Sequence, residues 1–317
     1  AAFSLYPITA EDTVYIDTGY YFVTNGMSLG EINRGLSNGV IRVLGSTNRI
    51  RGGTLIDGGG FVTYGLQMTD TRYVDVAHLR LKGFNTGLRV DNSLYCHFTN
   101  LEVFGCSGDG ISAQQLVEGT FSRCAAWSNG GWGLSVGGGQ MDAEWNQGVL
   151  VDNRSGGLNL GQGSFGFYNS IISSTISNSY LYRVSQGNLA ANFNVLWKTN
   201  GAILGRDEFR SQNYRKLQDW QRNVGVDESS VIVDPLFADV SQGDFHLRSE
   251  RGRWATNTWV TDTNTSWAID AGRMGDDYAS EPPPNGSRLN AGLYGNTTEA
   301  SLSVTSASSR ALFAVSM

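Results

Sequence analysis

Five glycines, Gly65, Gly87, Gly110, Gly133 and Gly157, recur at intervals of 22, 23, 23 and 24 residues, and the last four each open a short alternation. After them come Leu88-Arg89-Val90, Ile111-Ser112-Ala113, Leu134-Ser135-Val136 and Leu158-Asn159-Leu160. Alternate side chains of a strand point to opposite faces. The outer members of each triplet are therefore predicted to face a core, with Arg89, Ser112, Ser135 and Asn159 facing water. Earlier in the period, Val74, Val76, Leu79 and Leu81 are echoed 22 residues on by Cys96, Phe98, Leu101 and Val103. A further 23 residues on stand Gly119, Phe121, Cys124 and Ala126.

Each period thus holds three strand-length apolar pairs separated by brief turns. One period is too small to bury its own apolar side, so its neighbours must supply the rest of the core. Wound as a coil, like residues stack at the ~4.8 Å spacing of adjacent strands. The expected fold is all-β, a right-handed parallel β-helix (a solenoid) of 22–24 residues per coil with an irregular C-terminal covering region. A leucine-rich repeat would need a stricter Leu pattern, and a sandwich would not hold register over five marks. The recurrent glycines are predicted at bends where a side chain would clash.

Alternation is visible from "DTVYIDTGYYFV" (12–23) to "NFNVLWKTNGAILG" (192–205), which sets the coils at 1–205 and the covering region at 206–317. Within the latter, residues 206–224 read as a short helix, and "LSV" with "ALFAV" as a terminal hairpin. A parallel stack must cover its ends. Residues 1–14 contain little that could do so, and the chain is read as part of a longer polypeptide lacking its upstream cap.

Only 16% of residues are charged, against about 25% in an average domain. Net charge is −6 and no Lys/Arg-rich run occurs, which argues against nucleic acid as a partner. No apolar run approaches the ~20 residues needed to span a bilayer. Cys96, Cys106 and Cys124 are an odd number without CxxC spacing and are expected as buried free thiols.

With "DTVYIDTGYY" at the front and "VIVDPLFADVSQGDFHL", "AIDAG" and "RLNAGLYGN" at the back, the coil pattern resembles the secreted pectate-lyase-like right-handed β-helix superfamily. Within it, the likeness is to the parallel β-helix repeat proteins of bacterial and archaeal surfaces. The resemblance implies a secreted or cell-surface setting and an opening helix that ends in "AAFSLYPITAEDTVYID". It leaves the chemistry open, because the superfamily includes lyases, hydrolases, uronate epimerases and surface modules. Two of its signatures are missing: no Gly-His-Gly occurs, and Asp234-Pro235 is followed by Leu236 rather than by paired histidines.

Stacking turns the period into columns. One column reads Thr86, Asp109, Trp132, Gly156, and Asp109 with Trp132 and Arg89 is a candidate sugar subsite. The alternative for Asp109 is a turn carboxylate that accepts backbone N–H bonds. In the outward columns Asp75 lies under His97 and Arg80 under Glu102. Lys82, Arg89 and His97 are candidates for lyase-type chemistry, in which a cation neutralises a substrate carboxylate and a base removes a proton. The plainer reading is ordinary ladder pairing. Asp142 and Glu144 alternate on one strand and could act as a hydrolase pair. With Asp152 they could instead hold Ca²⁺, the only cofactor considered, or form a solvated face. Asn153, Asn264, Asn285 and Asn296 head glycosylation-type triplets, and His246 reads as structural. The function expected is an extracellular module that binds polysaccharide in a polar groove, without assigned catalysis. The alternative is a polysaccharide lyase or glycoside hydrolase acting on an acidic or neutral glycan.

Overall fold

Leu88, Ile111, Leu134 and Leu158 form one interior column, paired in that order on adjacent parallel strands and fully buried. The computed structural model describes residues 8–48 and 52–304. The opening helix and the hairpin expected from "ALFAV" lie outside the described residues.

The chain winds as a right-handed parallel β-helix with three sheets. The first runs from Thr13–Tyr15 to Asn188–Asn192, the second from Gly19–Phe22 to Val231–Ile232, and the third from Met27–Leu29 to Ile203–Asp207. Right-handed winding is the ordinary hand for parallel crossovers. Between the first and second sheets the corner is made by His78, Asn100, Arg123, Gln147, Asn169 and Phe193, all with φ between 50° and 60°. Asn and His tolerate this left-handed region better than most residues, so the corner recurs without glycine.

The glycine column works differently from the expected bend. Gly110 and Gly133 are not left-handed, but a Cβ on either would lie 2.6 Å from the amide nitrogen of Asn129 or Asn153. Those buried side chains fill the space, so close approach rather than torsion demands glycine. Ser112 and Ser135 also differ from expectation. Each is only 9% exposed, because a short side chain is shaded by longer column neighbours; Asn159 Nδ2 donates to Ser135 Oγ at 3.1 Å.

The C-terminal end of the bore is closed by a hairpin and a helix rather than by a helix alone. Gln212–Tyr214 turns back antiparallel on Ile203–Asp207, and the helix Leu217–Val224 then lays Trp220 on Tyr182, ring centroids 5.5 Å apart. Trp220 Nε1 donates to the buried Asp227, which also accepts from Ser230 Oγ and Asn194 Nδ2.

The remaining C-terminal region covers a side of the cylinder as well. Phe237, Phe245, Ile269 and Leu293 bury the outer face of the second sheet, where Trp127, Val149, Ile171 and Val195 point outward. A sheet covered on both faces reads as an unbroken apolar run, which accounts for "VLV" at 149–151. The three cysteines are buried free thiols, pushed up by burial to about 11, 11 and 12 for Cys96, Cys106 and Cys124, and are therefore inert at neutral pH. Among the described residues, no helix is long and apolar enough to cross a membrane.

Two buried titratable groups make this covering region pH-sensitive. His246 lies against Tyr294, with Nδ1 2.6 Å from Asp244 and Nε2 3.5 Å from Glu299. Burial alone would lower its pKa, but the two carboxylates outweigh that and raise it. Glu281 accepts backbone N–H bonds from Asn290 and Asn296 through Oε1, and burial raises it to about 7. Both groups bind protons more tightly folded than unfolded. Their stabilisation is complete below the unfolded values, about 4.3 for Glu and 6.5 for His, and is lost as pH rises through the folded ones. The covering region is expected to resist limited proteolysis better at about pH 6 than at about pH 8. Glu281→Gln should flatten part of that difference; an unchanged profile would exclude Glu281 from it.

Candidate functional site

The columns expected from the sequence are present, but their side chains leave the cylinder in three directions. Lys82 is on the second sheet, Arg89 on the third and His97 on the first. Seven and eight residues apart in sequence, they are separated by the corners of one coil and leave it on three different sheets. Both cations are also committed elsewhere. Lys82 Nζ lies 3.2 Å from Asp57, and Arg89 Nε 2.6 Å from Asp91. Arg80 likewise bonds Glu102 at 2.5 Å.

Asp109 and Trp132 are on adjacent coils, but Asp109 Oδ1 accepts the backbone N–H of Trp132 at 2.7 Å. Burial raises its pKa while that bond lowers it. The Trp132 ring leans over Gly156 toward Tyr180, centroids 6.4 Å apart. The carboxylate thus organises the turn, and Arg89, on the third sheet, is held by Asp91. Asp152 is at the exit of the second sheet, accepting N–H and O–H bonds from Thr175, away from Asp142 and Glu144 on the first. Among the described residues, no three His, Cys, Asp or Glu side chains converge on a metal-sized point. Asn153 is 1% exposed and so cannot accept a glycan in the folded protein.

The first sheet does bring candidates together. His97, Asp142 and Glu144 line one groove of about 420 Å³ with Tyr95, Glu118, Thr120 and Tyr168. Its origin is a change in register. In three successive coils Tyr73, Tyr95 and Glu118 occupy a left-handed position at the start of the first sheet, with φ of 52°, 53° and 52°. The next coil lacks it: Asp142 pairs with Val117 and Ala143 with Gly119, leaving Glu118 as the extra residue of a bulge. Bulges re-aim side chains and recur beside functional sites. Here Glu118 comes out beside Asp142, while Tyr73 and Tyr95 stack at 4.8 Å along the same line.

Within the groove the column His97, Thr120, Glu144, Gly166 advances one residue per coil. Gly166 and Ala190 keep the floor low beyond Glu144. Asp142 and Glu144 are two apart on one face, so their Cβ atoms are about 7 Å apart. The His97 imidazole bonds Thr120 Oγ1 through Nδ1 at 2.9 Å, not the Asp75 beneath it. Burial and the nearby Glu144 charge raise the Tyr168 phenol, while Arg273 lowers it. Glu118 was missed from the sequence. Its only signal was the lengthened interval, which does not say which residue is extruded.

A family model described as disaggregatase related matches residues 136–272. Among solved structures, pectate lyase Pel9A is 14% identical over 90% of this chain and 88% of its own, with a TM-score of 0.49. The Agl-KA catalytic domain is 14% identical over 63% of this chain, with a TM-score of 0.44, and the match spans 44% of that structure's chain. The A-module of Azotobacter vinelandii mannuronan C-5 epimerase AlgE4 is 12% identical over 69% of this chain and 86% of its own, with a TM-score of 0.29. No curated protein matches. The fold, read from the strand register itself, is a right-handed parallel β-helix.

Proposed function

We propose that the protein is an extracellular or cell-surface β-helix module that binds polysaccharide along the first-sheet groove. The observation that carries this reading is the meeting of a tyrosine at each side, Tyr95 and Tyr168, with carboxylates and hydroxyls between them in an open trough. Pyranose rings present C–H faces that suit the negative face of an aromatic ring, and their hydroxyls donate well to carboxylates. Successive coils are ~4.8 Å apart, close to the length of one pyranose unit, so a glycan laid along the axis meets about one sugar per coil.

Tyr95→Ala with Tyr168→Ala should weaken binding to whichever member of a polysaccharide panel is retained, by about tenfold or more. Affinity electrophoresis followed by calorimetry would measure it. Tyr95 is 40% exposed and Tyr168 half-buried, so the fold should survive. Undiminished binding by the double variant would dismiss the groove.

A second reading, glycoside hydrolysis, is favoured by one observation: Asp142 and Glu144 lie two apart on one strand and line the same groove, and paired carboxylates are what that chemistry uses. Reducing-end release that vanishes in Asp142→Asn and Glu144→Gln would move the assignment to catalysis. Lyase chemistry is less favoured, because Lys82, Arg80 and Arg89 are each engaged by a carboxylate. Calcium dependence is open to the same titrations run with CaCl₂ and with EGTA.

A further inference from the structure

A second hollow, of about 430 Å³, continues the first-sheet groove toward the C-terminal end of the cylinder. Asn188 lines both hollows, and the low floor at Gly166 and Ala190 leads from Glu144 toward it. The far wall is the tip of the hairpin that closes the bore. Asp207 pairs with Val184, and the chain then turns back through residues 208–211, which sets Phe209 and Arg210 on the hollow with Gln186 and Asn188.

Phe209 is 83% exposed and takes no part in closing the bore, which falls to Tyr214 and Trp220. A single exposed apolar ring on a surface needs no explanation. This one walls a polar hollow that joins a groove, and its neighbours are hydrogen-bonding groups. Gln186 Oε1 accepts from Gln162 Nε2 at 2.7 Å, so its own N–H donors remain for a ligand. Asp207 accepts the Arg210 backbone N–H at 3.0 Å through Oδ1 and holds Arg210 Nη1 at 2.6 Å through Oδ2. Glu208 is held in turn by Arg183 and Arg206. Charge at the tip is thus matched, while the guanidinium keeps further N–H donors.

An aromatic face suits the C–H side of a pyranose, and amide and guanidinium donors suit its hydroxyls. Resting on the groove reading above, we propose that Phe209 and Arg210 form an end subsite for one uncharged pyranose, so that the protein selects a neutral glycan long enough to run from Tyr95 to the hairpin tip. Tyr95, Glu118, Asp142, Ser164 and Asn188 lie on five successive coils. At the strand spacing that run is about 19 Å and takes about five sugars, so the next one or two meet Phe209.

Calorimetry on the full chain would compare pentamers and heptamers from cellulose, mannan and chitin, with those of galacturonan as the charged counterpart. In at least one uncharged series the heptamer should bind about tenfold or more tighter than the pentamer. Phe209→Ala should remove that step and leave pentamer affinity within about twofold. Phe209→Trp should keep the step. Phe61→Ala, at a ring 91% exposed and outside both hollows, should leave both lengths unchanged. Circular dichroism would verify that each variant folds.

The end subsite is overturned if no uncharged heptamer gains over its pentamer, if the gain survives Phe209→Ala, or if that variant weakens both lengths equally. A galacturonan heptamer that gains as much would overturn it too. In each of these cases, weaker binding by the Tyr95→Ala, Tyr168→Ala variant keeps the groove. If no oligomer binds, or if tyrosine removal changes nothing, the groove reading itself fails and the subsite with it.

Discussion

Trp220→Ala is expected to destabilise the C-terminal coils by about 3–5 kcal/mol, the usual cost of truncating a fully buried tryptophan. The ring is 0% exposed and lies flat against Tyr182, with Tyr214 at its edge. It also stands over Gly205, where a Cβ would come within 2.4 Å of it. Removing it opens the end of the apolar bore and takes from Asp227 one of its donors, leaving Ser230 and Asn194 to solvate a buried carboxyl. Because each coil of a solenoid contacts mainly its neighbours, damage at an end should travel inward with decreasing effect. Hydrogen exchange would show this directly. Amides of Tyr180–Val184 and Ile203–Asp207 should lose protection, while those of residues 88–91 keep theirs. Trp259→Ala, in the separate Arg253–Ala255 and Thr258–Val260 hairpin, should leave the protection of those coil amides unchanged. Uniform loss of protection along the whole cylinder would mean that Trp220 is not an end cap but part of one cooperative core.

The columns were legible in the sequence because burial in a coil constrains the same position once per turn. The Leu88, Ile111, Leu134, Leu158 stack needed nothing beyond that period. Direction around the cylinder was not legible. A period places Asp75 beneath His97 and Arg80 beneath Glu102, and both registers occur. It does not say that Lys82, Arg89 and His97 leave on three sides, since that depends on where each corner falls. The corners are set by left-handed residues whose identities vary from His78 to Phe193.

The covering of the second sheet was hidden for a different reason. Phe245 and Ile269 reach Val149 and Ile171 over long sequence separations, and only the outward Val149 and Val151 signalled that something packs there. The groove was half visible. Asp142 and Glu144 could be read as a pair from alternation alone. Glu118 required knowing where the register shifts, and Tyr168 which side of the strand its coil presents.

Asn153→Ala is expected to cost about as much as the tryptophan, through unmet hydrogen bonds rather than a cavity. In sequence Asn153 looks like a turn residue heading a glycosylation triplet. In the fold it is 1% exposed and points inward. Its Oδ1 accepts from the backbone N–H and the Nδ2 of Asn129, at 3.1 and 2.9 Å, and its own Nδ2 donates to the carbonyl of Ala126 at 2.9 Å. Alanine would orphan three buried groups at about 1–3 kcal/mol each, with some relief if water enters, for a total near 3–5 kcal/mol. Asn153→Asp keeps the acceptors but sets a carboxylate oxygen against the Ala126 carbonyl. Burial and that carbonyl should raise its pKa, so the variant should lose further stability as pH climbs above the unfolded Asp value of about 3.9. Asn129 continues the ladder, accepting from the Cys106 N–H and donating to the Val103 carbonyl. The two amides therefore share partners, and the double alanine variant should cost less than the sum of the singles by about 0.5–3 kcal/mol. Denaturant melts of the four proteins would measure this coupling. Strict additivity would mean that the amides hold separate coils rather than one continuous ladder.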